Sequence, residues 1–257
     1  MTFPVLQDKV AIVTGAAMGM GEATARLFAE AGAKVVVADY NAELGEAVAA
    51  DIRANGGDAE FVQVDISKSE QAEAIVAKTV EHYGRLDVAV NNAAITPDQG
   101  LVSEFDEAYW ERLMSVDLKG TALTLKYELR QLLVQGEGGS IINFSSVSGF
   151  RPQPMTPAYV AAKHAVNGLT KVAAMENGPH GIRVNSVAPG AVDTPMLRGA
   201  IEQFGLDPVE YPKQLSVLHR FAQPVEIAQA SLWLASDASS YVTGTTLHVD
   251  SGYTGAM

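Results

Sequence analysis

A chain of 257 residues that is 47% hydrophobic carries enough apolar material for one α/β domain with a large core. Its formal net charge of −12 argues against nucleic acid and anionic membrane surfaces as partners, because both recruit basic patches. The complete lack of cysteine excludes disulfides, thiolate metal sites and a cysteine nucleophile, and it fits a reducing cytoplasm.

The first nine residues lack the charged-then-apolar pattern of a secretory leader. No later apolar run approaches the ~20 residues of a membrane span. Short apolar runs rich in β-branched residues then alternate with longer amphipathic stretches. Residues 10–14 read as a strand, followed by a glycine-rich turn and a helix over 19–31. Strands over 34–38 and 60–64 lead into helices over 42–55 and 69–83. A strand over 86–91 precedes a long helical stretch over 105–134 with a break inside it. A strand over 140–144, a helix over 159–176, a strand over 182–188, a helix over 224–235 and a strand over 246–249 complete the series. Residues 194–221 read as irregular and too long for a routine connection. Their place just after a strand's carboxyl end suggests a substrate lid, with an ordinary surface insertion as the alternative.

Continuously apolar strands alternating with helices imply a parallel sheet covered on both faces. The expectation is α/β: a single Rossmann-like, doubly wound domain over 1–257, with a seven-stranded parallel sheet flanked by helices. No linker, repeat or low-complexity segment divides the chain.

The turn Thr14-Gly15-Ala16-Ala17-Met18-Gly19-Met20-Gly21 joins the first strand to the first helix. Glycines there let the backbone approach a pyrophosphate seated on the helix N-terminus. The spacing is Gly-x-x-x-Gly-x-Gly rather than Gly-x-Gly-x-x-Gly. Tight strand–helix packing is the alternative, but the placement between first strand and first helix favours nucleotide binding. Asp39 ends the second strand and Tyr40 follows it. A carboxylate at that position accepts hydrogen bonds from both ribose hydroxyls and repels a 2′-phosphate. With no arginine in 38–41 and no basic residue in 16–20, the cofactor expected is NAD rather than NADP. A cap for the next helix is the lesser alternative for Asp39. Asp65 and Ile66 follow the third strand, and Asn91-Asn92-Ala93-Ala94 the fourth, on the strand ends where open α/β sheets bind ligands. A helix cap for Asp65 and a turn role for Asn91 are the alternatives.

Tyr159 and Lys163 lie four apart on one helix face, with Ser146 thirteen residues upstream of the tyrosine. A free phenol titrates near ~10, and a fixed ammonium beside it favours the phenolate. The result is a general acid/base suited to an alcohol or ketone. Alone, the Tyr-x-x-x-Lys spacing is common on amphipathic helices.

Taken together, these elements resemble the short-chain dehydrogenase/reductase family over essentially the whole chain. The resemblance rests on Thr14-Gly15-x-x-x-Gly19-x-Gly21, Asn91-Asn92-Ala93, Ser146, Tyr159-x-x-x-Lys163, the run Ile182-Arg183-Val184-Asn185-Ser186-Val187-Ala188-Pro189-Gly190 and the tail segment 241–250. It implies an NAD-dependent alcohol dehydrogenase in which Tyr159 is the acid/base. Lys163 would favour the phenolate and hydrogen-bond the nicotinamide ribose, and Ser146 would hold and polarise the substrate oxygen, with Ser145 as its rival. Pro189, Gly190, Val192 and Thr194 would line the nicotinamide half. Asp65 and Ile66 would flank the adenine, and Asn91 would support the sheet and cofactor. The resemblance also implies a homotetramer built through the stretches 105–134 and 159–176 and the C-terminal segment.

The chain departs from that pattern in three places. Asp117 stands where the family carries an asparagine thought to hold a proton-relay water. An aspartate keeps the acceptor, loses the amide donor and adds a charge, which either stabilises Lys163 or slows the relay. Ala94 replaces a glycine, and Ser251 stands where a glycine is common. The expected substrate is a small secondary alcohol or ketone, hydrophobic or cyclic. Ile95, Thr96, Pro97, Val147 and Phe150 are candidate walls, and Met155, Met196, Leu197 and Phe204 are further ones. All of them serve equally as core or lid packing. The five histidines show no metal-ligand spacing, and no metal is expected. A 3-oxoacyl thioester reductase of the same family is one rival, and a nucleotide-binding protein that has lost catalysis is another.

Overall fold

A computed structural model describes residues 5–256. Residues 1–4, the start of the stretch read above for a leader, and residue 257 lie outside the described residues. Seven strands form one parallel sheet: β1 (Val10–Thr14), β2 (Lys34–Asp39), β3 (Asp58–Gln63), β4 (Val88–Asn91), β5 (Gly139–Phe144), β6 (Ile182–Pro189) and β7 (Thr246–Val249). Their order is β3-β2-β1-β4-β5-β6-β7, the doubly wound sheet expected from the sequence. The chain reverses direction of travel between β1 and β4, which register Thr14 against Asn91. A crevice therefore opens at the carboxyl ends of those two strands.

Side-chain alternation along the strands builds two cores. Val13 of β1 and Val35 and Val37 of β2 face Phe28 of α1 (Gly19–Glu30), Ile52 of α2 (Ala42–Ala54) and Ile227 and Leu234 of a later helix. Ile12 and Val36 face the opposite way, against Ile75 of α3 (Ser69–Tyr83) and a helix carrying Leu125 and Leu132. Each such side chain taken fully out of water contributes about 1.5–3 kcal/mol. The two-sided burial explains why strands β1 and β2 read as unbroken apolar runs.

Several boundaries differ from the sequence expectation by one or two residues, and three of the differences have a clear physical reason. β3 begins at Asp58, paired with Lys34, and ends at Gln63. It is the edge strand, where polar side chains reach water and conceal the strand from hydropathy. Leu86 lies outside β4 because the Gln135 side chain takes the place of a neighbouring strand, accepting from its N–H at 3.0 Å and donating to its carbonyl at 2.9 Å. The broken helix is α4 (Glu107–Leu113), a π-helical turn (Met114–Gly120) and α5 (Thr121–Gln135).

The remaining helices are α6 (Pro157–Asn177), α7 (Pro195–Phe204), α8 (Tyr211–Leu215) and α9 (Pro224–Ala235). Residues 194–221, expected to be irregular, thus carry two helices. None of the residues of α7 is buried, so its apolar positions lacked the packing context that marks a helix. No helix among the described residues is long and apolar enough to cross a membrane.

Candidate active site

The glycine-rich turn is pressed onto the end of β4. A Cβ at Gly15, whose φ is +65°, would lie 2.7 Å from the Ala93 Cα, and one at Gly21 would lie 2.0 Å from the Gly15 carbonyl oxygen. Only glycine fits such an approach. Thr14 Oγ1 accepts from the Asn92 and Ala93 N–H groups at 3.1 and 3.2 Å, and Asn92 Nδ2 donates back to the carbonyls of Thr14 and Gly15, both at 3.0 Å. Met18, at the N-cap of α1, provides no side-chain acceptor, so the first-turn N–H groups between Met18 and Gly21 lack a side-chain cap. That is the arrangement that receives an anion.

Beside this turn lies a cavity of about 480 Å³ lined by Gly15, Asp39, Tyr40, Asp65, Ile66 and Ala93. The structure therefore brings together six residues singled out in the sequence from four separate strand ends. Asp39 accepts from the Ala17 N–H through Oδ2 and from the Asn41 N–H through Oδ1, both at 2.9 Å. It thereby ties β2 to the glycine turn, and no cation pairs with it among the described residues. Asp65 Oδ1 accepts from both the N–H and the hydroxyl of Ser67. Arg112 and Ser115, which sequence reading missed, line the same cavity. No local pattern marks them, because α4 arrives from a loop whose path the sequence does not reveal.

Across the crevice, Thr194 caps α7 by accepting from the Leu197 N–H at 3.3 Å. Its methyl lies 3.4 Å from where a Cβ on Gly19 would be. Val192 is buried and bridges to Ala222. Pro189 pairs with Val249, and a Cβ on Gly190 would lie 2.9 Å from the Asp250 Cα. Ser251, in place of the common glycine, holds φ +52°.

The titratable centre sits on α6. Lys163 Nζ is 5.3 Å from the centroid of the Tyr159 ring, donates to the Phe144 carbonyl at 3.3 Å and lies 3.4 Å from Asp117 Oδ2. Asp117 comes from the π-helical turn and is fully buried. Its Oδ1 accepts from the Ile95 N–H at 2.9 Å, while Oδ2 has no hydrogen-bond donor. Burial drives the Asp117 carboxyl above the usual carboxylate range, against the pull of Lys163 and the Ile95 N–H. Burial also works against the Lys163 ammonium, but Asp117 and then Tyr159 outweigh it and hold the lysine above its usual range. Gly120 lets this turn lie flat against Ile66 beside the cavity, since a Cβ there would come 2.7 Å from Ile66 Cδ1.

Ser146 has an extended backbone, is nearly buried and accepts from the Ser148 N–H at 3.1 Å. Ser145 Oγ instead donates to the Lys163 carbonyl at 3.2 Å, inside the packing of β5 on α6. The Asn91 side chain turns away from the crevice. Its Nδ2 donates to Glu128 Oε2 at 2.9 Å and to Asn143 Oδ1 at 3.1 Å, and its Oδ1 has no donor. Ile95 and Tyr159 pack in one small cluster with Leu113, Met114 and Trp110. Phe150, Met155, Met196 and Phe204 remain exposed by two-fifths or more.

The sequence profile of the family described as Enoyl-(Acyl carrier protein) reductase matches residues 15–254. The chain is 51% identical over 248 residues to short chain dehydrogenase/reductase astE of Aspergillus oryzae, covering 96% of this chain and 95% of that protein. It is 47% identical over 251 residues to a 2,5-dichloro-2,5-cyclohexadiene-1,4-diol dehydrogenase of Sphingobium indicum, covering 97% of this chain and 98% of that protein. The crystal structure of levodione reductase superposes with a TM-score of 0.93 at 36% identity, over 98% of this chain and 100% of that one.

Proposed function

The chain belongs to the short-chain dehydrogenase/reductase family, and from that premise we propose that it is an NAD-dependent oxidoreductase acting reversibly on a cyclic, largely apolar secondary alcohol or its ketone. The observation that carries the reading is the Lys163 ammonium, buried 5.3 Å from the Tyr159 ring at the carboxyl end of the sheet.

The uncapped first turn of α1 beside the cavity fits a dinucleotide, and the missing Cβ atoms of Gly15 and Gly21 let that turn pack directly on the end of β4. The first turn of α1, including Met18, Gly19 and Met20, would hold the pyrophosphate. Asp39 and Tyr40 would meet the adenosine ribose, Asp65 and Ile66 the adenine, with Asn91 and Ala93 supporting the strand end beside it. Pro189, Gly190, Val192 and Thr194 would meet the nicotinamide. Asp39 lacks a cationic partner, so a 2′-phosphate beside it would meet bare negative charge, which favours NAD over NADP. NAD, when bound, supplies the acceptor for the hydride.

This chain's residues handle the proton. Ser146 holds the substrate oxygen, and Tyr159 accepts the hydroxyl proton in oxidation and returns it in reduction. Lys163 keeps positive charge beside the phenol and a donor toward the cofactor ribose. The Asp117 carboxylate, 3.4 Å from Lys163 Nζ, would stabilise that ammonium. Residues 194–221 form a lid whose exposed Met196 and Phe204 cover an apolar substrate. The similarity to a 2,5-dichloro-2,5-cyclohexadiene-1,4-diol dehydrogenase supports a ring-shaped substrate. A homotetramer through α5 and α6 is supported by Val134 and Met175, which are 85% and 82% exposed on those helices.

The test is NADH formation by purified protein across cyclic, steroid, aromatic and linear secondary alcohols, with NAD and NADP in parallel. Activity with NAD on a compact group of cyclic alcohols supports the proposal. Bound NADH with no turnover on any alcohol would overturn it.

A further inference from the structure

We propose that Asp98 is the positioning residue of Tyr159, holding the backbone of the acid/base from a loop that also forms the substrate wall. The inference rests on Tyr159 as the acid/base and adds to it the group that sets where Tyr159 stands.

A helix start needs acceptors for its first N–H groups. α6 begins at Pro157, which has no N–H, so the groups in need are those of Ala158 and Tyr159. The residue at the N-cap, Thr156, supplies nothing to them: its hydroxyl donates backward to the Gln153 carbonyl at 3.0 Å. Asp98, 60 residues upstream, takes both. Its Oδ2 accepts from the Ala158 N–H and its Oδ1 from the Tyr159 N–H, each at 3.0 Å. The carboxylate is 6% exposed, and no cation pairs with it among the described residues. Its charge is balanced by those two N–H groups and by the positive end of α6. Burying a carboxylate is costly, and here both of its oxygens are spent on the turn that carries the acid/base.

The neighbours of Asp98 extend the same clamp. The Gly100 N–H donates to the Met155 carbonyl at 2.9 Å, and Met155 holds a left-handed φ of +66° that turns the chain into α6. Gln99 and Gln203 exchange side-chain hydrogen bonds at 3.4 and 3.2 Å, linking the loop to α7. The Tyr109 hydroxyl donates to the Thr96 carbonyl at 2.7 Å, linking it to α4. Residues 96–100 therefore join α4, α6 and α7, and a substrate seated against Ile95 and Pro97 presses on the segment that places Tyr159.

The test compares Asp98→Ala and Asp98→Asn with the parent protein. The Ala variant loses both acceptors, whereas the Asn variant keeps one. Asp98→Ala is expected to lower kcat for alcohol oxidation at least tenfold and raise KM for the alcohol, with the NADH dissociation constant within threefold. The deuterium isotope effect on kcat should rise, because a displaced Tyr159 slows the chemical step. Asp98→Asn should recover at least threefold of the lost kcat, and amide exchange in residues 155–165 should quicken in the order parent, Asn, Ala. A loss of active fraction alone would leave KM and the isotope effect unmoved, and that result overturns the proposal. So does parental kcat and exchange protection in Asp98→Ala. Should the Ala variant not fold, the Asn variant decides by the same readouts. If the parent turns over no alcohol, the enzymatic reading fails by itself, and the exchange series still shows whether Asp98 holds the tyrosine.

Discussion

Glu128→Gln should remove a pH dependence from the stability of the fold. Glu128 projects from α5 into the sheet, is 1% exposed and accepts one hydrogen bond, from Asn91 Nδ2. No cation pairs with it among the described residues, and burial, only partly offset by the Asn91 amide, pushes its carboxyl from 4.5 up to about 7. The folded state thus holds the proton more tightly than the unfolded one. The associated stability is fully present below the unfolded value and is lost as pH rises through about 7. A gap of roughly 2.5 units corresponds to about 3 kcal/mol, of which about 2 disappears between about pH 5.5 and 8.5. Against a typical total of ~5–15 kcal/mol that loss is measurable. Glutamine presents the same donor and acceptor as the neutral acid, and its amide offers a donor to Asn91 Oδ1, which has none from a carboxylate. Urea unfolding of both proteins at one protomer concentration is the assay, because the stability of any assembly, the proposed tetramer included, depends on concentration. The parent should weaken toward alkaline pH relative to the variant, with the two converging in acid. Parallel curves across the range would refute the reasoning and place a stable carboxylate under the sheet.

Tyr159→Phe should reduce turnover by a factor of ~10² to 10⁴, the usual worth of a general acid/base, with NADH affinity within a few fold by fluorescence titration. Asp117→Asn removes the larger of the two influences that hold Lys163 above its usual range, leaving burial opposed only by Tyr159. The lysine should then lose its proton at lower pH, and the alkaline limb of the kcat profile should move down; an unmoved limb would remove Asp117 from the proton chemistry. Asp39→Ala should narrow the preference for NAD over NADP at least tenfold in kcat/KM, at some cost to NADH affinity because the link to the Ala17 N–H is also lost.

Most of the fold was legible because β1, β2, β4, β5 and β6 are buried on both faces and announce themselves as apolar runs. The edge strand β3 was misplaced by two residues for the converse reason: Asp58 faces water, and only its pairing with Lys34 makes it strand. The cavity beside the glycine turn was legible in part, because Gly15, Asp39, Tyr40, Asp65, Ile66 and Ala93 stand next to the ends of apolar runs, a position that strand order converts into proximity, whereas Arg112 and Ser115 do not. Helical spacing puts Lys163 beside Tyr159, but that spacing is common, and only its company with the glycine turn, Ser146 and the later motifs singles the pair out. Ser146 and Ser145 are neighbours in sequence with opposite duties, and only the packing of β5 on α6 separates them.

What stayed hidden shares one physical cause: polar groups that satisfy a backbone or side chain far away in sequence. Gln135 stands in for a strand neighbour of Leu86 from 49 residues away. Asp98 caps α6 from 60 residues away, where Thr156 would be the local choice. Glu128 lies on the apolar face of α5 between Leu125 and Leu132, a place that hydropathy patterning reserves for a hydrophobe. The break in the long helix belongs to the same class. The sequence shows that the apolar stripe of 105–134 falters, but it does not show that a π-helical turn takes up the change. That turn is what brings Asp117 to within 3.4 Å of Lys163 while Gly120 rests on Ile66. One local widening therefore shapes both the Asp117–Lys163 pair and the cavity lined by Ile66. A substitution that restored regular α-helix across Met114–Gly120 would be expected to disturb both at once, weakening NADH binding and turnover where Tyr159→Phe alters turnover alone.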